Sequence, residues 1–121
     1  MKAVWGIGIA LALMTTAAFG SHEGQELYED ACASCHGSNG RGAPAGTTIE
    51  VPLPDFTDCS FVTRETTGNW VALAAHGGRE LNLSPQMPGF GDALSEAQIR
   101  EIIAYVRGFC TDPSWPPGDL N

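Results

Sequence analysis

The chain has 121 residues, 43% of them apolar and 17% charged, which suits one modest domain with its own core. Fourteen Asp and Glu oppose six Lys and Arg, a formal net charge of −8. That balance leaves no basic patch to neutralise phosphates and argues against nucleic-acid binding.

Residues 1–20 read as a leader rather than as part of the fold. Lys2 is a minimal positive region, and residues 4–14 form an apolar stretch of eleven. Ala18 and Gly20 place small residues where a signal peptidase reads, which predicts a cut before Ser21. Eleven residues fall short of the roughly 20 a bilayer-spanning helix needs. The alternative is an uncleaved anchor, with residues 15–19 lengthening the run. Residues 21–121 then form a single domain. Its longest unbroken apolar run, 70–75, is too short to span a membrane, so no stable insertion is expected after cleavage. Lys2 leaves with the leader, and five arginines against 14 carboxylates give this domain a net charge of −9.

The first predicted helix covers 23–35. Gly24, Leu27, Tyr28 and Ala31 recur at helical spacing on one face, and Gly37, Gly40 and Gly42 stop it. At its end stands Cys32-Ala33-Ser34-Cys35-His36. This C-x-x-C-H run is the attachment site of a c-type haem. Two thiols at this spacing each add to a vinyl group of the macrocycle, and the next residue, histidine, becomes an axial ligand of the iron. A thioredoxin-like pair would need a βαβ setting that is missing here, and a four-cysteine zinc site would need a second close pair.

Residues 43–58 contain Pro44, Pro52 and Pro54 and read as an irregular, extended loop. Cys59 follows, and its natural partner in an oxidising compartment is Cys110, the other cysteine not taken by haem; two separate buried thiols are the alternative. A short helix is predicted over 65–75, ended by Gly77-Gly78. Residues 83–91 hold two prolines and two glycines and must be a loop. The last helix is the clearest element. Ser95 is its N-cap, Gln98 completes a capping box, and Ile99, Ile102, Ile103, Val106 and Cys110 form an apolar stripe. The tail around Trp115 has no periodicity.

Met87 is the one methionine left after the leader and sits in the proline-stiffened loop, so it is the candidate for the second axial position. A thioether there raises the potential of a haem protein. His76, at a helix end, is the rival ligand, and His22 lies too near the new N-terminus.

With these motifs in place, the chain resembles the small class I cytochromes c over nearly all of 21–121. The matching runs are Gly24-x-x-Leu27-Tyr28 before Cys32-x-x-Cys35-His36-Gly37, then Met87-Pro88-x-Phe90, then Ile103-x-Tyr105-Val106. The resemblance is to the bacterial monohaem type, domains of which also occur in cbb-type oxidases and periplasmic dehydrogenases. It implies an all-α cytochrome c fold, with three to four short helices and long loops around one covalent haem. It also implies a crossing of first and last helices at Gly24 and Tyr105, with Tyr28 beside them. The Pro54 carbonyl, or less well that of Pro44, would accept from the Nδ1–H of His36, and Phe56 would pack on the haem. Trp70 and Arg79 are candidate propionate partners, with Trp70 equally a core residue and Arg79 equally a solvated charge.

The expected function is periplasmic transfer of one electron, with no catalytic residue and with redox proteins as partners. The alternative is a haem enzyme or sensor with a displaceable sixth ligand. Relatives ring the haem edge with lysines to dock an acidic oxidase. The absence of lysine after position 20 points instead to a basic or neutral docking face.

Overall fold

A computed structural model describes residues 20–112. Residues 1–19 of the expected leader and the tail at 113–121 lie outside it. Five α-helices, α1 (Gly20–Ala31), α2 (Ala33–His36), α3 (Cys59–Val62), α4 (Thr67–His76) and α5 (Glu96–Arg107), and a 3₁₀ turn at Arg79–Leu81 make up its regular structure. No strand occurs among the described residues, and no helix there is long and apolar enough to cross a membrane.

The helix expected over 23–35 is broken at Cys32, where φ of −120° lets α2 leave the axis of α1. The break costs little hydrogen bonding, because Cys32 N–H still reaches the Tyr28 carbonyl and His36 N–H the Cys32 carbonyl, at 2.8 and 2.9 Å. It places Cys32 at the break and Cys35 within α2. α3 was not legible as a helix, being too short to show a period. Its cap is clear in the structure: the Asp58 carboxylate accepts from the N–H groups of Ser60 and Phe61 at 2.9 and 3.4 Å. α4 starts later than expected because Thr66 is its cap, accepting from Asn69 N–H at 3.2 Å.

α5 follows its sequence closely. Ser95 Oγ accepts from Gln98 N–H at 3.2 Å, and Gln98 Oε1 accepts from Ser95 N–H at 3.0 Å, a complete capping box. Ile99, Ile102, Ile103 and Val106 are all buried. Cys110 falls outside the stripe, since the helix ends at Arg107.

The scaffold is the crossing of α1 and α5. A Cβ built on Gly24 would overlap the Glu101 carbonyl oxygen, lie 2.8 Å from its carbon and stand 3.4 Å from Tyr105 Cβ. Only glycine lets the two backbones meet there. Tyr28, fully buried, packs beside the crossing with its ring 5.3 Å from Tyr105 and 5.5 Å from Phe109. The core holds Tyr28, Phe56, Val62, Ile102 and Val106 on one side and Val71, Ile99 and Ile103 on the other, with Trp70 and Leu94 packed against both.

Cys59 and Cys110 are bonded, with Cα atoms 5.1 Å apart. The bridge pins the start of α3 to the segment after α5. Closing a loop with a sequence separation of 51 should stabilise the fold by about 4 kcal/mol through the unfolded chain. The Cys59→Ser/Cys110→Ser double variant is therefore expected to lose roughly that much in urea unfolding. An unchanged midpoint and slope would show that the bridge contributes nothing.

Candidate functional site

Cys32, Cys35 and His36 are carried by the bend and by α2, whose last residue is His36. Both cysteines are free thiols, in a domain whose other pair is bonded. Cys32 is half-buried, and that burial, with a smaller contribution from Cys35, pushes its thiol up to about 11. It therefore remains protonated at neutral pH.

The turn after His36 is tight. Gly37 has φ of 77°, beyond the ordinary range of L side chains, and its N–H closes α2 on the Ala33 carbonyl at 2.8 Å. The buried Tyr28 hydroxyl donates to the Gly37 carbonyl at 2.6 Å, tying this turn to the helix crossing. Gly42 N–H binds the His36 carbonyl at 3.0 Å, and Phe56 N–H binds the Gly40 carbonyl at 2.7 Å. Gly40 has φ of 70°, and a Cβ there would stand 2.7 Å from the Phe109 ring. These bonds bring the Leu53-Pro54-Asp55-Phe56 stretch back to the histidine. The Phe56 ring stacks on the His36 imidazole, centroids 5.0 Å apart and planes 27° from parallel.

One expectation is not met in this geometry. His36 Nδ1 is buried without any hydrogen-bond partner, so the Pro54 carbonyl does not accept from it, and neither does that of Pro44. The backbone bonds fix the path of residues 54–56 so that Phe56, rather than a carbonyl, faces the ring. Burial lowers the pKa of His36 below its ordinary value, so the imidazole is neutral at neutral pH and offers a lone pair.

Met87 lies on the loop between α4 and α5, and main-chain bonds hold that loop to the end of α4. Gly78 N–H reaches the Met87 carbonyl, and Phe90 and Gly91 N–H reach the Ala74 and Ala75 carbonyls, each at 2.9 Å. Gly77, φ 82°, lets the strands of the loop meet, since a Cβ would be 2.7 Å from Gly89 N. His36 and Met87 come into contact. His76, the rival, is exposed.

Trp70 sits half-buried between Phe56 and Phe61, at 5.6 and 5.8 Å, as a core residue. Arg79 is exposed in the 3₁₀ turn and forms no ion pair among the described residues. Leu81 and Leu83, in the loop leading to Met87, are 40% and 57% exposed. Sequence reasoning missed Arg107. It is buried, with guanidinium nitrogens donating to the Val62 and Glu65 carbonyls at 2.8 and 2.7 Å. Its spacing was the available signal, four residues after Ile103 on the apolar side of α5.

The residues present fit a covalently held haem. Two reduced thiols stand at the break and in α2, a neutral imidazole follows them with its buried Nδ1 bonded to no protein group, Met87 comes into contact with that histidine, and apolar leucines border the loop. Cys32 and Cys35 would hold the macrocycle and His36 and Met87 its iron.

Comparison with known proteins agrees. The family model described as Cytochrome c matches residues 21–109. The chain is 33% identical over 91 residues to a Cbb3-type cytochrome c oxidase subunit CcoP of Cereibacter sphaeroides, covering 73% of this chain and 27% of that one. It is 30% identical over 97 residues to a Cbb3-type cytochrome c oxidase subunit FixPc of Rhizobium leguminosarum bv. viciae, covering 77% and 31%. It thus spans less than a third of the length of these curated relatives. Among solved structures, the KustC0563 c-type cytochrome superposes with a TM-score of 0.60 at 22% identity, over 73% of this chain and 98% of that one, which speaks for the fold.

Proposed function

The chain belongs to the cytochrome c family, and we propose that it is an exported carrier of single electrons, with one haem bound through Cys32 and Cys35 and ligated by His36 and Met87. The observation that carries this reading is the pairing of a free C-x-x-C-H with a thioether in contact with its histidine. When bound, the haem supplies a reversible one-electron couple. The chain's own part is to hold the imidazole neutral, to keep the thioether on a stiff loop and to exclude water with the Phe56–Trp70 side of the core. Attachment is tested by acid–acetone extraction of protein expressed with export. Colour should stay on the polypeptide, and haem passing into the organic phase would refute covalent binding.

The leader at 1–20 directs the chain to the periplasm, and cleavage before Ser21 leaves residues 21–121 as the working domain. The relatives named as oxidase subunits suggest a terminal oxidase, or a protein that supplies one, as the redox partner. All five arginines and all 14 carboxylates lie in this domain, so its long-range field favours a basic or neutral docking face. With a basic partner, the association rate should fall between 0.01 and 0.1 M salt, as the Debye length shrinks from about 30 to about 10 Å. Stopped-flow oxidation by the acceptor measures it. A rate that climbs steeply with salt would mean that two acidic surfaces meet, and the electrostatic part of the reading would fail.

A further inference from the structure

Tyr28 brackets the Cys32–His36 run. Its main-chain carbonyl accepts from Cys32 N–H at 2.8 Å, and its hydroxyl donates to the Gly37 carbonyl at 2.6 Å. One residue thus holds the first cysteine and, nine positions along the chain from itself, the residue after the proposed iron ligand. The side chain is fully buried, and burial raises its pKa well above the ordinary range of a phenol. The hydroxyl therefore stays a donor throughout the neutral range.

The Gly37 carbonyl also accepts from Gly40 N–H at 3.0 Å, so both of its lone pairs are used. Gly37 N–H donates to the Ala33 carbonyl and Gly42 N–H to the His36 carbonyl, at 2.8 and 3.0 Å. These bonds lie within residues 33–42 and fix the turn relative to itself. Two side-chain bonds join it to α1. Ser38 Oγ donates to the Glu29 carboxylate at 2.8 Å, but both residues are exposed and water competes. The Tyr28 bond is the buried one, and the Tyr28 ring is itself held at the helix crossing by Tyr105 and Phe109. An electron passes fastest to and from a centre whose ligands hardly shift between its two oxidation states, because preorganised groups need not rearrange.

We propose that Tyr28 is a positioning residue of this electron carrier, whose hydroxyl holds the turn behind His36 in one conformation in both oxidation states and so keeps the cost of rearrangement low. The inference rests on the haem reading above. Electron self-exchange between reduced and oxidised copies of the haem-loaded chain isolates the effect. One electron leaves a reduced copy and enters an oxidised one, so products equal reactants and the driving force is zero whatever the midpoint potential. Tyr28→Phe keeps the ring and, at a fully buried position, leaves the surface through which copies meet as it was.

Covalent haem is measured first by acid–acetone extraction. Its absence from the parent would overturn the reading beneath this one, and this one with it. With haem attached, self-exchange read from magnetic-resonance line widths of mixed oxidation states should slow about fivefold in Tyr28→Phe, the factor that the net worth of one hydrogen bond represents when it enters a barrier. Exchange of the Gly40 and Gly42 amides with deuterium should quicken by a similar factor. Ile103→Val is the stability control. Buried with Val71 and Ile99 in the other part of the core, it should melt earlier, as Tyr28→Phe does, yet pass electrons at the parent's rate. A parent-like self-exchange rate in Tyr28→Phe would overturn the positioning role alone. Equal slowing in Ile103→Val would assign the effect to general loosening and overturn it too. Should Tyr28→Phe not fold, the parent supplies the test. Its Gly40 and Gly42 amides, measured against those of Ile102 and Val106 in α5, should exchange equally slowly in the two oxidation states. A difference of about tenfold between the states would show that the turn moves despite the hydroxyl bond, and the proposal would fail.

Discussion

Gly24→Ala is expected to cost at least 3 kcal/mol of folding stability, although alanine is the better helix former by about 1 kcal/mol. The reason is the site of the added methyl. It would overlap the Glu101 carbonyl oxygen and stand 2.8 Å from the carbon, and both belong to the backbone of α5. A side chain could rotate away; a helix backbone cannot. The two helices must separate along the contact that buries Tyr28, Ile102 and Val106, so overpacking at one position becomes lost packing at several. Tyr28 would also be drawn from the Gly37 carbonyl, and the loss would reach the turn that follows His36. Against a typical domain stability of about 5–15 kcal/mol this is a large fraction, and Gly24→Val should prevent the folded form from accumulating. Gly68→Ala is the matched control. Gly68 lies in the first turn of α4, and the nearest atom to its added Cβ is Thr66 Oγ1 at 3.7 Å, an ordinary contact. That variant should gain up to about 1 kcal/mol. Urea unfolding of the haem-loaded proteins, followed by near-ultraviolet circular dichroism, compares them. Parent-like stability in Gly24→Ala would mean that the crossing is looser than this geometry requires.

The crossing was legible only through the resemblance, which puts the contact of first and last helices at Gly24 and Tyr105 with Tyr28 beside them. α5 was legible from its own residues, since Ser95 and Gln98 state its start and four aliphatic residues state its buried face. The disulfide followed from the arithmetic of four cysteines. What was not legible depends on long-range geometry. Nothing in residues 23–35 marks the bend at Cys32, because the apolar spacing continues through it. α3 exists only because Asp58 caps a four-residue turn that the bridge at Cys59 then anchors. The partner of His36 Nδ1 was expected from Pro54, but the bond from Phe56 N–H to the Gly40 carbonyl sets the path of that segment and leaves the nitrogen unsatisfied. Arg107 reads on the page as a helix-terminal cation. Only the fold reveals that α3 and α4 enclose it.

Met87→Ala should leave haem on the polypeptide and lower its midpoint potential by an amount on the order of 0.1–0.3 V, the largest change expected from any single side chain here. Attachment through Cys32 and Cys35, as proposed, does not involve Met87, and the loop depends on main-chain bonds at Gly78, Phe90 and Gly91, none of which uses the Met87 side chain. Removing the thioether would therefore delete the proposed ligand without deleting the loop that carries it. A thioether favours the reduced iron, and water or a vacant position in its place favours the oxidised one. The sulfur-to-iron charge-transfer band of the oxidised protein should vanish with it. His76→Ala should preserve both band and potential, because His76 is exposed while Met87 is in contact with His36. Carbon monoxide adds a third readout. The reduced parent should not bind it at neutral pH, and reduced Met87→Ala should. Two results would change the assignment. Loss of the low-spin state in His76→Ala, with Met87→Ala unchanged, would make His76 the sixth ligand. Ready binding of carbon monoxide by the parent would mean that the thioether yields to small ligands, and the domain would then be a sensor or a haem enzyme rather than a carrier.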